Sequence, residues 1–326
     1  MAKKDKPKIK LAVYWGAACG GCCVSVLDVH ESLFDIVEAA DLVFWPIALD
    51  VKYKDLEAMP DQEIDVTLYN GAIRNSENEH LARILRKKTK ILVAYGSCAH
   101  LGGIPALGNF TNRSEIFERI YETSESTVNN KKVYPQTKYA TAEGELELPE
   151  FFNDVRSLDQ VVDVDFYLPG CPPQSERLLE VFTAIVSGDE LPLPGSVIGA
   201  LEKGQCDECD RKKTENKTIK KFFRPWEIID DGETCFLEQG LICMGPATRG
   251  GCGCRCIEGN SPCRGCYGPP ANITDPGAKM MASIATMIDA DDPEEIDKII
   301  EQIVDPAGTF YRFSMSRSIL RRRLIK

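Results

Sequence analysis

The amino-acid sequence predicts an α/β fold, in which a parallel sheet with helices on both faces is followed by a small, cysteine-rich second domain. Short apolar runs alternate with helical patterns up to about residue 190, and a Pro- and Gly-containing stretch follows at 191–195. Beyond that stretch, nine of the 14 cysteines fall between residues 206 and 266. The length of 326 residues suits two domains, and an apolar content of 43% is ample for a core.

Apolar periodicity predicts the elements of the first domain in chain order. Strands are expected at 9–15, 42–47, 64–69, 91–95 and 166–168, with a hairpin around 134–148. Helices are expected after the first strand, over 77–88, and after residue 173; the first has an apolar face of Val24, Leu27, Leu33, Phe34 and Val37. We expect the chain to divide into residues 1–195, a cysteine-rich domain over 196–275 and a helical C-terminal extension over 276–326.

Composition and charge exclude several function classes. A formal net charge of -11 argues against a nucleic acid or an anionic membrane as the main partner. The N-terminal segment contains no long apolar stretch, so we expect neither a signal peptide nor a membrane span, and a cytoplasmic location. Because thiols stay reduced in the cytosol, 14 cysteines predict bound metal rather than disulfides.

Cysteines follow three of the predicted strands. Cys19 and Cys22 come after the first strand, Cys98 after the fourth and Cys171 after the strand at 166–168. Since ligands of open parallel sheets bind beyond the carboxyl ends of the strands, we expect these thiols at one rim. A helix N-terminus beside the first loop would lower the pKa of its thiols and favour metal binding. For one loop alone, a redox dithiol or buried apolar cysteines are the alternatives.

The cysteine-rich region has too few apolar residues for an independent core, so we expect bound metal to hold it together. Zinc ribbons pair two C-x2-C knuckles roughly 15–20 residues apart, whereas the pairs here are much further apart. Nine thiols match two four-cysteine clusters with one spare, and zinc is the alternative metal. Cys254 alternates with Cys252 and Cys256, and alternate residues of a short loop point apart, so we expect Cys254 to be the spare.

Three loop motifs resemble those of the small subunits of nickel–iron hydrogenases. These motifs are Cys-Gly-Gly-Cys at 19–22, Gly-Ser-Cys-Ala at 96–99 and Pro-Gly-Cys-Pro-Pro at 169–173. Further stretches are similar to the small (gamma) subunits of the methanogen methyl-viologen-reducing, deazaflavin-independent group: Asn-Gly-Ala-Ile-Arg-Asn at 70–75, Gly-Gly-Ile-Pro-Ala-Leu-Gly-Asn at 102–109, and the cysteine-rich segment at 251–266. The resemblance implies a flavodoxin-like domain followed by a small ferredoxin-like iron–sulfur domain.

The resemblance also implies a function and its ligands. The chain would conduct electrons from hydrogen oxidation through three 4Fe-4S clusters, and it would contain no catalytic residue. The matching proximal ligands are Cys19, Cys22, Cys98 and Cys171. The medial and distal clusters would draw on Cys206, Cys209, Cys235, Cys243, Cys252, Cys256, Cys263 and Cys266.

The partners that this resemblance implies are a large subunit with the nickel–iron centre, an iron–sulfur delta subunit and heterodisulfide reductase subunits. The reductase would bifurcate electrons between ferredoxin and the coenzyme M–coenzyme B heterodisulfide. We expect no flavin in this chain, because the first loop offers cysteines rather than a phosphate cradle. The alternatives are the cluster subunit of a complex-I-like or energy-converting hydrogenase and a zinc-stabilised scaffold protein.

The sequence departs from the hydrogenase pattern in the first loop. Ala18 stands where many small subunits have a glutamate, so no proton-relay role is transferred to this position. Three residues are further candidate ligands: Cys23, which follows Cys22 directly, Asp50 at the end of the second strand, and Cys254.

Overall fold

The computed structural model describes residues 7–215 and 218–320. The strands are β1 (Ile9–Trp15), β2 (Ala40–Phe44), β3 (Ile64–Asn70), β4 (Ile73–Asn75), β5 (Thr89–Tyr95), β6 (Lys138–Thr141), β7 (Gly144–Glu147), β8 (Phe151–Arg156), β9 (Phe166–Leu168) and β10 (Ser196–Val197). The α-helices are α1 (Gly21–Leu27), α2 (Ser32–Ala39), α3 (Tyr53–Ala58), α4 (Ser76–Lys88), α5 (Ser97–Leu101), α6 (Arg113–Tyr121), α7 (Ser175–Ser187), α8 (Gln205–Glu208), α9 (Arg255–Glu258), α10 (Pro276–Ala285), α11 (Pro293–Ile300) and α12 (Pro306–Phe310).

The main sheet has six strands in the order β2-β1-β3-β5-β9-β10, and every neighbouring pair is parallel. Counting only these strands along the chain, the order is 2-1-3-4-5-6, which extends the flavodoxin-like order by one edge strand. The predicted parallel α/β core is therefore confirmed. The carboxyl ends of β1, β5 and β9 lie at one edge, and each precedes a loop or helix that contains cysteine.

The first predicted helix differs from the structure. It is two short helices, α1 and α2, separated by a turn in which His30 takes a φ of 53°. The expected apolar face is largely exposed: Val24, Leu27, Phe34 and Val37 have between 49% and 75% of their surface accessible. Because α1 begins at Gly21, its buried residues are Cys22, Cys23, Ser25 and Val26 instead.

The cysteine-rich region does not have a core of its own. One hydrophobic cluster joins Ala72, Cys98 and Ala106 of the first part of the chain to Phe236 and Leu241 of the second. β10 also lies beyond the predicted boundary at residue 195 and pairs with β9. Between β10 and residue 275 the described residues form short helices and isolated bridges, so a ferredoxin-like sheet is not confirmed.

Two smaller ladders extend the first domain. The hairpin predicted around 134–148 is present as antiparallel β6 and β7, and β4 pairs with β8. Residues 321–326 of the predicted C-terminal extension, and residues 1–6, lie outside the described residues. In the part of the chain that the structure describes, no helix combines the length and the apolar character needed to cross a membrane.

Asn109 joins the glycine-rich segment after α5 to β8, and its replacement tests this junction. Its side-chain amide donates to the carbonyl of Val155 at 2.9 Å and its oxygen accepts the Val155 N–H at 2.7 Å. We expect Asn109→Ala to lower the free energy of unfolding by about 2–3 kcal/mol, because two buried backbone groups lose their partner. Urea denaturation under anaerobic conditions measures this, with the exposed Asn272→Ala as the control; equal midpoints would contradict it.

Candidate metal centre

The loop after β1 holds the first two thiols. The indole N–H of Trp15 donates to the carbonyl of Ala18 at 3.0 Å and closes the loop. Gly20 then takes a φ of 87°, in the left-handed region that favours glycine, and α1 begins at the next residue. As a result Cys19 is exposed, whereas Cys22 is buried in the first turn of α1.

The loops after β5 and β9 are joined by hydrogen bonds. The backbone N–H and the hydroxyl of Ser97 donate to the carbonyl oxygen of Gly170, at 2.8 and 2.9 Å. Ser97 directly precedes Cys98, and Gly170 directly precedes Cys171. Because β5 and β9 are neighbours in the sheet, these bonds place two predicted ligands side by side.

Close approach at two glycines shows how tightly the three loops meet. A methyl group on Gly96 would overlap the thiol of Cys22 and lie 3.5 Å from the carbonyl oxygen of Gly170. A methyl group on Gly103 would lie 2.5 Å from the thiol of Cys98. The structure thus brings the loops that contain Cys19, Cys22, Cys98 and Cys171 to one rim, and we call these four residues the first cage.

The pKa values of the first cage differ from the expectation. Burial, followed by the neighbouring thiols of Cys171 and Cys19, raises the pKa of Cys98 to about 12. Burial and then Cys98, Cys171 and Cys19 raise the pKa of Cys22 well above its ordinary value. The lowering that we expected for the first loop from a helix N-terminus is therefore wrong for Cys22, because desolvation and mutual repulsion are stronger. A bound cation would relieve this repulsion, since metal ligation needs thiolates.

Four thiols of the cysteine-rich region form a second cage: Cys206, Cys209, Cys235 and Cys243. They line a single small cavity closed by apolar side chains that include Phe236 and Leu237. Burial and the charge of Cys243 raise the pKa of Cys206 to about 12. The guanidinium of Arg211 lies 3.7 Å from the Phe236 ring centre and pairs with Asp230 at 2.7 Å, which braces the wall of the cavity.

Three more thiols, Cys252, Cys256 and Cys266, form a third group beside the first cage. Burial, then the thiols of Cys252, Cys256 and Cys171, raise the pKa of Cys266 to about 12. The Ser97 hydroxyl also reaches the carbonyl oxygen of Cys266, at 2.5 Å. Cys263 is buried beside the second cage, where its N–H donates to the Cys243 thiol at 3.3 Å. Burial, then the thiols of Cys243 and Cys266, raise its pKa.

The three further candidate ligands, Cys23, Asp50 and Cys254, lie in different surroundings. Cys23 is 2% exposed and lies in the core beneath the sheet rim, where it accepts a hydrogen bond from Asn70 at 3.3 Å. The carboxylate of Asp50 is 87% exposed and pairs with Lys52, so the structure does not bring it to the first cage. Cys254 is buried, and burial raises its pKa to about 11.

Gln205 is a site residue that the sequence pattern did not predict. Its side chain is buried, its amide N–H donates to the Cys254 thiol at 3.0 Å, and its oxygen accepts from the Cys252 thiol at 3.2 Å. Because Gln205 precedes Cys206, it connects the second cage with the third group. A polar residue beside a predicted ligand was the available signal, but spacing does not show which way it points.

Within residues 7–215 and 218–320, no three histidine, cysteine, aspartate or glutamate side chains are arranged to hold a single metal ion. The donors are thiols that lie close to glycines. A methyl group added at Gly96 would overlap the Cys22 thiol, and one added at Gly245 would lie 3.1 Å from the Cys206 thiol. N–H groups also point at sulfur, such as that of Cys263, which donates to the Cys243 thiol at 3.3 Å. Thiol donors, close backbone and N–H···S bonds fit iron–sulfur clusters.

Comparison with known proteins identifies relatives over nearly the whole chain. A family model described as "NADH ubiquinone oxidoreductase, 20 Kd subunit" matches residues 19–185. The iron–sulfur subunit of the F420-non-reducing hydrogenase of Archaeoglobus profundus is 41% identical, covering 98% of this chain and 99% of the relative. The corresponding subunit of the F420-non-reducing hydrogenase of Methanothermobacter marburgensis is 38% identical, covering 98% of each chain.

A solved structure supports the fold. A chain in the structure of the NiFeSe hydrogenase from Desulfovibrio vulgaris Hildenborough aligns with a TM-score of 0.50. The alignment covers 83% of this chain and 97% of that chain at 16% identity, so it bears on the fold alone.

Two glycines with positive φ provide a matched test of the first cage. Gly96 has a φ of 87° and contacts the Cys22 thiol, whereas Gly188 has a φ of 76° with open space around it. We expect Gly96→Ala to lose iron and sulfide, because the methyl group displaces a thiol of the cage, and Gly188→Ala to retain both. Iron and acid-labile sulfide are measured on anaerobically purified protein; equal iron in the two variants would contradict the assignment.

Proposed function

We propose that this chain is the electron-transferring small subunit of a nickel–iron hydrogenase. The premise is that the chain belongs to the family of the NADH ubiquinone oxidoreductase 20 Kd subunit and to that of the iron–sulfur subunits of F420-non-reducing hydrogenases. It is an oxidoreductase subunit whose active site belongs to a separate subunit. One observation supports the conducting role most directly: the Ser97 hydroxyl, which bonds to the Gly170 carbonyl beside Cys171, also reaches the carbonyl oxygen of Cys266 in the third group. Such contact favours electron transfer between neighbouring centres.

The first cage would hold the proximal 4Fe-4S cluster through Cys19, Cys22, Cys98 and Cys171. Two of these thiols are buried against the sheet, and the other two, Cys19 and Cys171, are exposed. The exposed side is where we expect the large subunit, with its nickel–iron centre, to bind. Cys23 would remain a core residue, and Asp50 is not included among the ligands.

The division of the remaining thiols follows from their neighbours. Cys252, Cys256, Cys263 and Cys266 would hold the medial 4Fe-4S cluster, because Ser97 joins Cys266 to the loops of the first cage. Cys206, Cys209, Cys235 and Cys243 would hold the distal one, because they share one cavity. Cys254 would be the spare thiol, bonded to Gln205. The region would thus resemble ferredoxins in carrying two clusters, without the sheet of that fold.

Iron–sulfur clusters, when bound, supply one-electron carriers whose potentials depend on burial and on hydrogen bonds to sulfur. The residues of this chain set those conditions. Burial of Cys98, Cys243 and Cys263 lowers the local dielectric constant, which favours the less charged, oxidised state. N–H donors to ligand sulfur stabilise the additional negative charge of the reduced state; an example is the backbone N–H of Cys263 at the Cys243 thiol.

The remaining partners follow from the resemblance to the methanogen group. Electrons would pass from the distal cluster to an iron–sulfur delta subunit and then to heterodisulfide reductase, which bifurcates them between ferredoxin and the coenzyme M–coenzyme B heterodisulfide. The chain would act in the cytoplasm, without flavin of its own.

Metal analysis distinguishes this function from its rivals. We expect about twelve iron and twelve sulfide per chain in anaerobically purified protein, because three cubane clusters each contain four of both. A content of about four of each would indicate the single-cluster subunit of a complex-I-like hydrogenase. Zinc without sulfide would indicate a zinc-stabilised scaffold, and either result would refute the proposal.

The assignment of the spare thiol is tested by a pair of cysteine variants. We expect Cys254→Ala to keep its full iron content, because its thiol bonds to the Gln205 amide rather than to iron. Cys243→Ala, which removes an equally buried thiol from the second cage, should lose one cluster. Iron content and the low-temperature EPR spectrum of the reduced protein measure both, and a lost cluster signal in Cys254→Ala would make Cys254 a ligand.

A further inference from the structure

A cluster of three arginines stands out in this acidic chain. Arg224, Arg264 and Arg312, which we call the arginine cluster, line one surface cavity of about 270 Å³, and all three are half-buried. Within the described residues, none of these three arginines forms an ion pair with a carboxylate, although eight other arginines do. Asp305 also lines the cavity, but its carboxylate caps α12 by accepting the Gly308 N–H at 2.8 Å.

The three guanidinium groups repel one another. All three side chains line the same small cavity, so their positive charges lie close together. The carboxylates nearby are Asp305 and Glu227, which accepts the backbone N–H of Arg224 at 2.6 Å, so three guanidinium groups leave the cavity with an excess positive charge while the chain as a whole is at -11. Half-buried like charges are costly, and an anion placed among them would relieve the repulsion.

Exposed apolar side chains lie beside this charge. Trp226, which lines the same cavity, is 75% exposed, and Ile229, three residues further along the chain, is 97% exposed. The guanidinium of Arg224 lies 4.9 Å from the centre of the Trp226 ring. Tryptophan and arginine are the residues that most often dominate the binding energy of protein–protein interfaces. The combination therefore fits a protein partner better than a small inorganic anion.

The arginine cluster also lies next to the proposed cluster ligands. Ile242 and Pro262, which line the cavity, directly precede Cys243 and Cys263, and Arg264 lies in the loop between Cys263 and Cys266. The cavity therefore borders both the second cage and the third group. A protein bound here would be close to the end of the electron path.

We propose that the arginine cluster, together with Trp226, is the docking surface for the electron-accepting partner, which binds through an acidic surface with an apolar centre. This inference rests on the proposed function, because it takes this chain to be the electron donor. The partner tested is the iron–sulfur delta subunit.

The experiment uses the assembled hydrogenase of large and small subunits and purified delta subunit. We expect the double variant R224E/R312E to weaken binding by about tenfold or more and to flatten its dependence on salt, because charge complementarity is lost. Trp226→Ala should weaken binding by about tenfold while leaving the salt dependence unchanged, because it removes an apolar contact. The control K54E/K131E makes the same change in net charge at two exposed lysines outside the cavity.

Binding is measured by surface plasmon resonance at several salt concentrations, and reduction of the clusters by hydrogen is followed separately by EPR. The docking surface is refuted if the R224E/R312E variant binds the delta subunit as tightly as the wild-type hydrogenase does. It is also refuted if K54E/K131E weakens binding as much as R224E/R312E does. If hydrogen does not reduce the clusters of the unchanged hydrogenase, the proposed function itself fails. Normal iron content in the variants confirms that they are folded.

Discussion

The hydrogen bonds of Ser97 join the parts of the chain that form the metal centre. Its N–H and hydroxyl reach the carbonyl of Gly170, and the same hydroxyl reaches the carbonyl of Cys266. Ser97 is 1% exposed, so water does not compete for these groups, and losing them would leave buried carbonyls unpaired. The positions of Cys98, Cys171 and Cys266 depend on this junction, and with them the contact between the first cage and the third group.

The balance between burial and charge explains why these thiols need a metal. Cys98, Cys206 and Cys266 all have pKa values raised to about 12, chiefly by desolvation. A thiolate in such surroundings is stable only beside positive charge, which iron supplies. The metal is not the only source of stability, however, because one hydrophobic cluster continues from the first domain into the cysteine-rich region. That shared core also explains how a region with few apolar residues is held in place.

Charge is distributed unevenly over the molecule. The net charge of -11 argues against anionic partners for the chain as a whole. Yet electrostatic attraction acts over about one Debye length, ~8–10 Å at physiological ionic strength, so local charge decides what docks. The arginine cluster is a local patch of this kind. Arg224, Arg264 and Arg312 come from separate segments of the sequence but converge on one cavity.

The sequence by itself determined the parallel sheet and the carboxyl ends of β1, β5 and β9, because an apolar run between turn residues is a local pattern. The strand expected at 42–47 is instead β2 at Ala40–Phe44, and the edge strand β10 was not predicted. The sequence also determined that cysteines would follow β1, β5 and β9, since parallel strands present their carboxyl ends at one edge. Only the tertiary structure decided which way neighbouring thiols point. Cys22 and Cys23 are adjacent and buried in the same hydrophobic cluster, yet the Cys22 thiol meets Gly96 of the loop after β5 whereas the Cys23 thiol accepts from Asn70 of β3.

The grouping of the nine later cysteines and the place of Gln205 were likewise beyond the sequence. Loops without periodicity take their course from contacts with distant residues, as when the carbonyl of Cys266 meets the Ser97 hydroxyl. The same holds for α1 and α2, where most of the predicted apolar face is exposed while Val26 and Ile36 are buried. Spacing shows which residues can share a face of one element, whereas the contacts made between elements decide which face is buried and which thiols meet.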